Sequence, residues 1–371
     1  MDPYQRTIEH LLEGTGIGTR EDSPCRIQVH DPRFYRRVLR HNTLGLGESY
    51  MEGWWDCDNI EDFFYRLLRA GMEREMKPGL RDLAVAFTTL WNNPQSRTRA
   101  RREVSSHYDR GNDLYHAMLD RRMIYSCAFW DHADNLDQAQ EHKLDLTCRK
   151  LKLEPGQKLL DIGCGWGGLA RYAAERYGVS VVGITLSPQQ VELAREACKG
   201  MDISIQLQDY RDVQGSFDRV VSIGMFEHVG GRNYDSFMDS VHRVLKPDGL
   251  FLLHTIGSEK EVKHADPWLQ KYIFPGSRLP SAVQITRAIE MKFRLEDWQN
   301  FGPNYNLTLR AWLQNFEKNW PSLREKYGDG FFRQWKYYLS CAAATFSSRK
   351  NNVWQIVMAH RNHLPYYQSI R

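Results

Sequence analysis

Leu160-Asp161-Ile162-Gly163-Cys164-Gly165-Trp166-Gly167-Gly168 is an apolar run that breaks abruptly into glycines. That order predicts a buried strand, a tight loop and the first turn of a helix. The glycines permit positive φ and close approach of the backbone to a ligand, so an adenosyl group can lie over the strand end. The spacing Gly163-x-Gly165-x-x-Gly168 also fits a dinucleotide fingerprint, which wants an acidic residue about twenty positions on for a ribose. Gly183-Ile184-Thr185-Leu186-Ser187 stands there instead, without a carboxylate, which argues against a nicotinamide cofactor.

Around this loop, short apolar runs alternate with helical ones. Lys158 to Gly163, Val179 to Thr185, Ile203 to Gln208, Phe217 to Gly224 and Gly249 to Ile256 read as strands, and Trp354 to His360 as a late edge strand. Gly168 to Arg176, Pro188 to Cys198 and Tyr234 to Leu245 read as helices between them. Strand and helix in alternation imply an α/β, doubly wound sheet with ligands at the carboxyl ends of its strands. Upstream, a helical start (Ile8, Leu11, Leu12), an alternating segment (Ile27, Val29), turn signals at Gly45 and Gly47, and Trp54-Trp55 before Phe63, Phe64, Leu67 and Leu68 suggest a smaller α+β domain over 1–90. Periodicity lapses at 91–104 into Asn92-Asn93-Pro94 and an arginine run, a basic linker, leaving 105–371 as the catalytic domain.

Composition narrows the class. Hydrophobic and charged fractions of 42% and 26% are ordinary for a globular protein, and no apolar run approaches the ~18 residues of a membrane-spanning helix. Met1-Asp2-Pro3-Tyr4-Gln5-Arg6 lacks the pattern of a secretory signal, so a cytoplasmic address is expected. The cysteines at 25, 57, 127, 148, 164, 198 and 341 are scattered and never form Cys-x-x-Cys, which argues against a disulfide framework and a zinc ribbon. A net charge of +4 does not imply nucleic acid. The cations cluster, however, at Arg33, Arg36, Arg37 and Arg40 and at Arg97, Arg99, Arg101 and Arg102. Such clusters are either solvated faces or a footprint for the anionic phospholipid surface of the inner membrane, at about 1 kcal/mol per basic side chain near it.

Tyr125-Ser126-Cys127, the glycine loop, Thr185-Leu186-Ser187-Pro188-Gln189-Gln190, Met225-Phe226-Glu227-His228, His254-Thr255-Ile256-Gly257 and Asp266-Pro267-Trp268 through Tyr272-Ile273-Phe274-Pro275 resemble the cyclopropane-fatty-acyl-phospholipid synthase family across nearly all of 101–371. The resemblance implies a seven-stranded Rossmann-like methyltransferase sheet, S-adenosylmethionine as methyl donor, and a peripheral membrane enzyme compatible with a homodimer. It implies cofactor contacts at Tyr125, Ser126, Asp161, Gly163, Gly165, Trp166, Gly168, Thr185, Leu186, Ser187, Gln190, Asp209, Tyr210 and Arg211. Related mycolate-modifying enzymes tend to carry Trp-Glu where Tyr210-Arg211 stands here.

The chemistry explains what else such a site needs. An isolated alkene is a poor nucleophile, so the sulfonium methyl must be held against it. Closing the ring then requires loss of a proton from the transferred methyl, with water excluded. The family resemblance implies bicarbonate as that base, with ligands at Cys127 and Ile256 through their backbone and at Glu227, His254 and Tyr305 through their side chains. Taken singly, a Glu or His near a strand end is more often a satisfied structural group, and Cys127 has no adjacent base to make it a nucleophile. Trp312, Phe316, Trp320, Phe331, Phe332, Trp335, Tyr337 and Tyr338 crowd the C-terminal third, as core or as the lining of an acyl tunnel. Two other functions fit the same residues: a methyl-branching, methylene-forming or hydroxylating acyl-chain methyltransferase, and a catalytically silent lipid-binding protein.

Overall fold

A computed structural model describes residues 2–72, 111–262 and 265–371. Along the chain lie α1 (Pro3–Leu12), β1 (Ile17–Gly18), β2 (Cys25–Val29), α2 (Arg33–Met51), β3 (Trp55–Cys57), α3 (Ile60–Arg69), α4 (Asn112–Met118) and α5 (Leu136–Lys150). There follow β4 (Lys158–Ile162), α6 (Gly168–Tyr177), β5 (Ser180–Thr185), α7 (Pro188–Ala197), β6 (Ile203–Leu207), β7 (Phe217–Ile223), α8 (Tyr234–Val244) and β8 (Leu245–Ser258). The chain ends in α9 (Pro267–Tyr272), α10 (Ala282–Ile289), β9 (Phe293–Asn300), α11 (Gly302–Tyr327), α12 (Asp329–Ser347) and β10 (Asn351–His360).

Contacts divide these elements into two units, neither continuous in sequence: 1–93 with 264–275 and 309–350, and 94–263 with 276–308 and 351–371. The expectation of one uninterrupted domain over 105–371 is therefore corrected, because two of its segments pack with the N-terminal elements. The reason is area. In the first unit β1, β2 and β3 form a short three-stranded sheet, too small to bury a core by itself. The aromatic C-terminal segments supply the missing surface: Tyr337 packs on Tyr50 and Phe64, and Trp268 on Tyr337. Gly45 and Gly47, expected in turns, lie inside α2. A side chain at Gly47 would sit 2.3 Å from the Trp268 indole, so glycine here serves close packing. The crowded aromatics behave as mutual core, with Phe316 stacked on Phe332 and Phe331 on Trp335. Of the first basic cluster, Arg33 is tied to Asp31 and Arg37 to Glu48 and Glu52, while Arg36 and Arg40 are exposed. The linker 91–104, with Arg97, Arg99, Arg101 and Arg102, lies outside the described residues.

The second unit holds the seven-stranded sheet, in the order β6-β5-β4-β7-β8-β10-β9. β6, β5, β4, β7 and β8 run parallel, and β10 is antiparallel to both β8 and β9. Alternation along each strand sends neighbours to opposite faces. Leu160, Val220 and Phe251 join the core beneath α8 and α10, while Leu159, Val221 and Leu252 join the core beneath α5 and α6. Each fully buried aliphatic side chain of this kind contributes about 1.5–3 kcal/mol. The edge expectation is corrected: β10 is interior, and β9, Phe293-Arg294-Leu295-Glu296-Asp297-Trp298-Gln299-Asn300, is the edge. β9 escapes a search for apolar runs because an edge strand with one wet face needs few apolar residues.

Candidate functional site

The loop after β4 owes its path to residues that could not carry side chains. Gly163 has φ of +85°, and a Cβ there would lie 2.9 Å from Met225. Gly168 opens α6 beneath the 122–126 segment, where a Cβ would meet the Arg122 carbonyl oxygen at 2.6 Å and Ile124 at 2.3 Å. That close approach creates a cleft at the carboxyl ends of β4, β5 and β7, of about 140 Å³. A single water needs roughly 10–15 Å³, so the cleft is ligand-sized.

Twelve of the expected cofactor residues line it: Tyr125, Ser126, Asp161, Gly163, Gly165, Trp166, Gly168, Thr185, Leu186, Gln190, Tyr210 and Arg211. Ser187 and Asp209 do not; they hold residues that do. The Ser187 hydroxyl caps α7, accepting from the Gln190 N–H at 3.3 Å. Asp209 grips the Arg211 guanidinium at 2.8 and 2.5 Å, and Arg211 lies 5.2 Å over the Tyr210 ring. Thr185 Oγ1 donates to Gln190 Oε1 at 2.8 Å, so these polar groups of the cleft are ordered by one another. Trp166 is fixed by donating to Asn112 Oδ1 at 3.1 Å and by the ring of Tyr115, which also packs on Tyr125.

Sequence reasoning missed several lining residues, among them Ile124, Lys143, Gln208, Met225 and His228. Lys143 had a signal. Leu136, Gln140, Lys143, Thr147 and Lys150 fall on one helical stripe of α5, and all five are buried, so polar and cationic side chains occupy a core-facing stripe. Burial pushes the Asp161 carboxyl up to about 7 and the Lys143 ammonium down to about 8.

Beside the cleft, a second set of residues meets. The 3-10 turn Phe226–His228 follows β7 and places Glu227, 5% exposed, so that its Oε1 accepts from the Ile256 N–H of β8 at 2.6 Å. Its Oε2 is buried with no hydrogen-bond partner. On β8, two residues before Ile256, His254 is 2% exposed, and neither of its ring nitrogens has a partner. The Gly224 N–H donates to the His254 carbonyl at 2.9 Å, and Gly224 lines the cleft, so the two sites share backbone. Cys127 is fully buried with its thiol directed to the Ala128 carbonyl at 3.2 Å, and desolvation pushes its pKa up, which disfavours the thiolate. Phe301 links the set: its carbonyl lies 4.0 Å from Cys127 Sγ and its ring 5.9 Å from His254. Tyr305 lies one turn further, at the buried start of α11, which is sewn to the Cys127 segment by Trp130 N–H to Asn304 at 2.8 Å and Ala128 N–H to Thr308 at 3.1 Å.

The electrostatics suit a small hydrogen-bonding anion. Desolvation raises Glu227 to about 7, partly opposed by the Ile256 N–H, so near neutrality it can carry a proton to donate. Burial, with help from Lys143 and Lys150, holds His254 well below its ordinary pKa, so it is neutral and offers one N–H. Buried polar groups without partners are costly, about 1–3 kcal/mol each, and a ligand that satisfied them would recover that cost.

Comparison with known proteins places the chain in a family. A profile of the mycolic acid cyclopropane synthetase family matches residues 95–356. The chain is 50% identical, over 96% of its length and 94% of the relative's, to the cyclopropane-fatty-acyl-phospholipid synthase of Escherichia coli. It is 34% identical, over 95% of its length and 88% of the relative's, to a tuberculostearic acid methyltransferase of Mycobacterium tuberculosis. Among solved structures, the cyclopropane synthase MmaA2 of Mycobacterium tuberculosis is 32% identical with a TM-score of 0.66, covering 70% of this chain and 98% of that one. A mycolic acid cyclopropane synthase solved with S-adenosylhomocysteine gives 31% and 0.66 at the same coverages. With a family profile over most of its length and relatives alike end to end, this chain belongs to the mycolic acid cyclopropane synthetase family of S-adenosylmethionine-dependent methyltransferases.

Proposed function

We propose that this enzyme transfers a methylene group from S-adenosylmethionine to the cis double bond of an unsaturated phospholipid acyl chain, with bicarbonate as the base. One observation carries the reading: Glu227 Oε2 and both nitrogens of His254 are buried without partners beside the ligand-sized cleft. The likeness to the Escherichia coli phospholipid enzyme supports the substrate class.

S-adenosylmethionine supplies the electrophilic methyl, and bicarbonate, when bound, supplies the proton acceptor. The alkene pair forms the new carbon–carbon bond as the sulfur–methyl bond breaks, its electrons returning to sulfur. The cation left behind loses a proton from the transferred methyl, and those C–H electrons close the ring. Glu227, anchored through Oε1 by Ile256, would present Oε2 to the base, and His254 an N–H; Tyr305 and the backbone at Cys127 and Ile256 complete the cradle in this reading. Hydrogen-bonding the base rather than acting directly keeps the Glu227 carboxylate from being alkylated by the cation. Burial of both side chains keeps out the water that would hydroxylate it.

The test uses pure enzyme, labelled S-adenosylmethionine and vesicles of defined cis-unsaturated phospholipid, in buffer stripped of carbon dioxide. The reading expects acyl chains that gain CH2 and lose the alkene, at a rate rising saturably with added bicarbonate. A rate indifferent to bicarbonate would remove the base; gain of oxygen with CH2 would mark hydroxylation, and label confined to headgroups would remove the acyl reading. For access to the bilayer we propose that exposed Arg36 and Arg40, with the linker arginines, favour anionic lipid; among the described residues no helix is long and apolar enough to cross a membrane.

A further inference from the structure

Two cations line the adenosyl cleft, and they are not equivalent. Arg211 is neutralised by the two-pronged contact with Asp209. Lys143 is 1% exposed, and its ammonium donates to Ser126 Oγ at 3.0 Å. An ammonium has three donors, so two remain; among the described residues no carboxylate pairs with it directly, and Asp120 and Asp161 act on it only through their charge. A buried charge left in that state is expensive unless an anion reaches it.

The proposed ligand brings three charges: a sulfonium, an α-ammonium and a carboxylate. Lys143 repels the first two and attracts the third. Asp161, also buried and lining the same cleft, has the opposite preference. Ser126 lines the cleft with Lys143, and its carbonyl accepts from Gln140 Nε2 at 2.9 Å, which fixes the backbone that carries the hydroxyl.

We propose that Lys143 is a positioning and specificity-determining residue for the amino-acid end of the cofactor, its ammonium and the Ser126 hydroxyl together receiving the methionyl carboxylate. The inference rests on reading the cleft as an S-adenosylmethionine site. Lys143 thereby fixes which way the zwitterion lies and so limits where the sulfonium can point. A ligand lacking the carboxylate would leave the ammonium buried and unsatisfied, which gives the cleft a reason to reject it.

The experiment measures calorimetric binding of three probes: S-adenosylhomocysteine, its decarboxylated analogue, and 5′-methylthioadenosine, which lacks the amino-acid end. The wild type should prefer S-adenosylhomocysteine over the decarboxylated analogue by at least about tenfold. In Lys143→Met and Lys143→Gln that preference should collapse to within about twofold, with 5′-methylthioadenosine binding unchanged, and Lys143→Arg should recover part of it. Equal binding of the first two probes by the wild type would overturn the proposal whatever the variants do. So would a preserved preference in the Met and Gln variants, or parallel loss of all three probes, the mark of a merely structural lysine. A wild type that binds none of the probes would overturn the cofactor reading itself.

Discussion

The cleft at the strand ends and the buried pair Glu227 and His254 stand side by side on one sheet and are built on opposite rules. Most polar groups of the cleft are satisfied within the chain: Thr185 by Gln190, Arg211 by Asp209, Ser126 by Lys143 and Gln140. They hold a shape. In the buried pair, Glu227 keeps one oxygen and His254 two nitrogens without partners. They hold a demand. The difference teaches that cofactor binding and chemistry can be separated by mutation, although Gly224 joins the two regions through its hydrogen bond to His254.

The largest effect expected from that separation is at the buried pair. His254→Ala and Glu227→Gln should each lower turnover on the order of a hundredfold or more, while S-adenosylhomocysteine affinity by calorimetry stays nearly that of the wild type. Affinity falling in step with rate would join the regions that the geometry keeps apart. Gly168→Ala acts from the other side: its methyl would press on the Arg122 carbonyl, which cannot move freely, so cofactor affinity should fall by about tenfold. Thr185→Val, which deletes one hydrogen bond of about 1 kcal/mol, should weaken the same affinity severalfold and leave turnover at saturation almost unchanged.

A subtler consequence is in pH. Glu227 is held near 7, above its ordinary 4.5, so the folded enzyme binds more protons than the unfolded chain across that window. Stability therefore falls as pH rises from about 4.5 through 7, at up to roughly 1.4 kcal/mol per unit for this group. Glu227→Gln removes the loss, so the gain in Tm over wild type should be larger at pH 8 than at pH 5 in carbonate-free buffer. An equal gain at both would mean that the carboxyl ionises without penalty. The smallest effect belongs to Arg36→Gln with Arg40→Gln, which should slightly weaken sedimentation with anionic vesicles at low salt and not at high salt.

How much of this was legible in the sequence follows the same division. Local signals carried the cleft: an apolar strand, glycines at fixed spacing and an N-cap serine occupy neighbouring positions in the chain, so their geometry is nearly dictated by sequence order. The proposed base site takes Cys127, Glu227, His254 and Tyr305 from four distant segments, and chain physics alone leaves each as an ordinary polar or buried residue; family resemblance was what singled them out. Folding-level errors had the same origin. β9 escapes notice because its partner is β10, more than fifty residues later, because a half-wet edge carries Arg294 and Glu296, and because Asp297 is buried only through its pairing with distant Lys150 and Arg371. Gly45 and Gly47 looked like turns because the aromatic that requires Gly47, Trp268, is far along the chain.

The central claim is that the transferred methyl gives up a proton as the ring closes, and one isotopic measurement addresses it. Given S-adenosylmethionine labelled as CD3 and a cis-unsaturated phospholipid, the enzyme should yield acyl chains that carry two deuterons in a three-membered ring. Chains that retain all three deuterons, as a methyl branch would, contradict it.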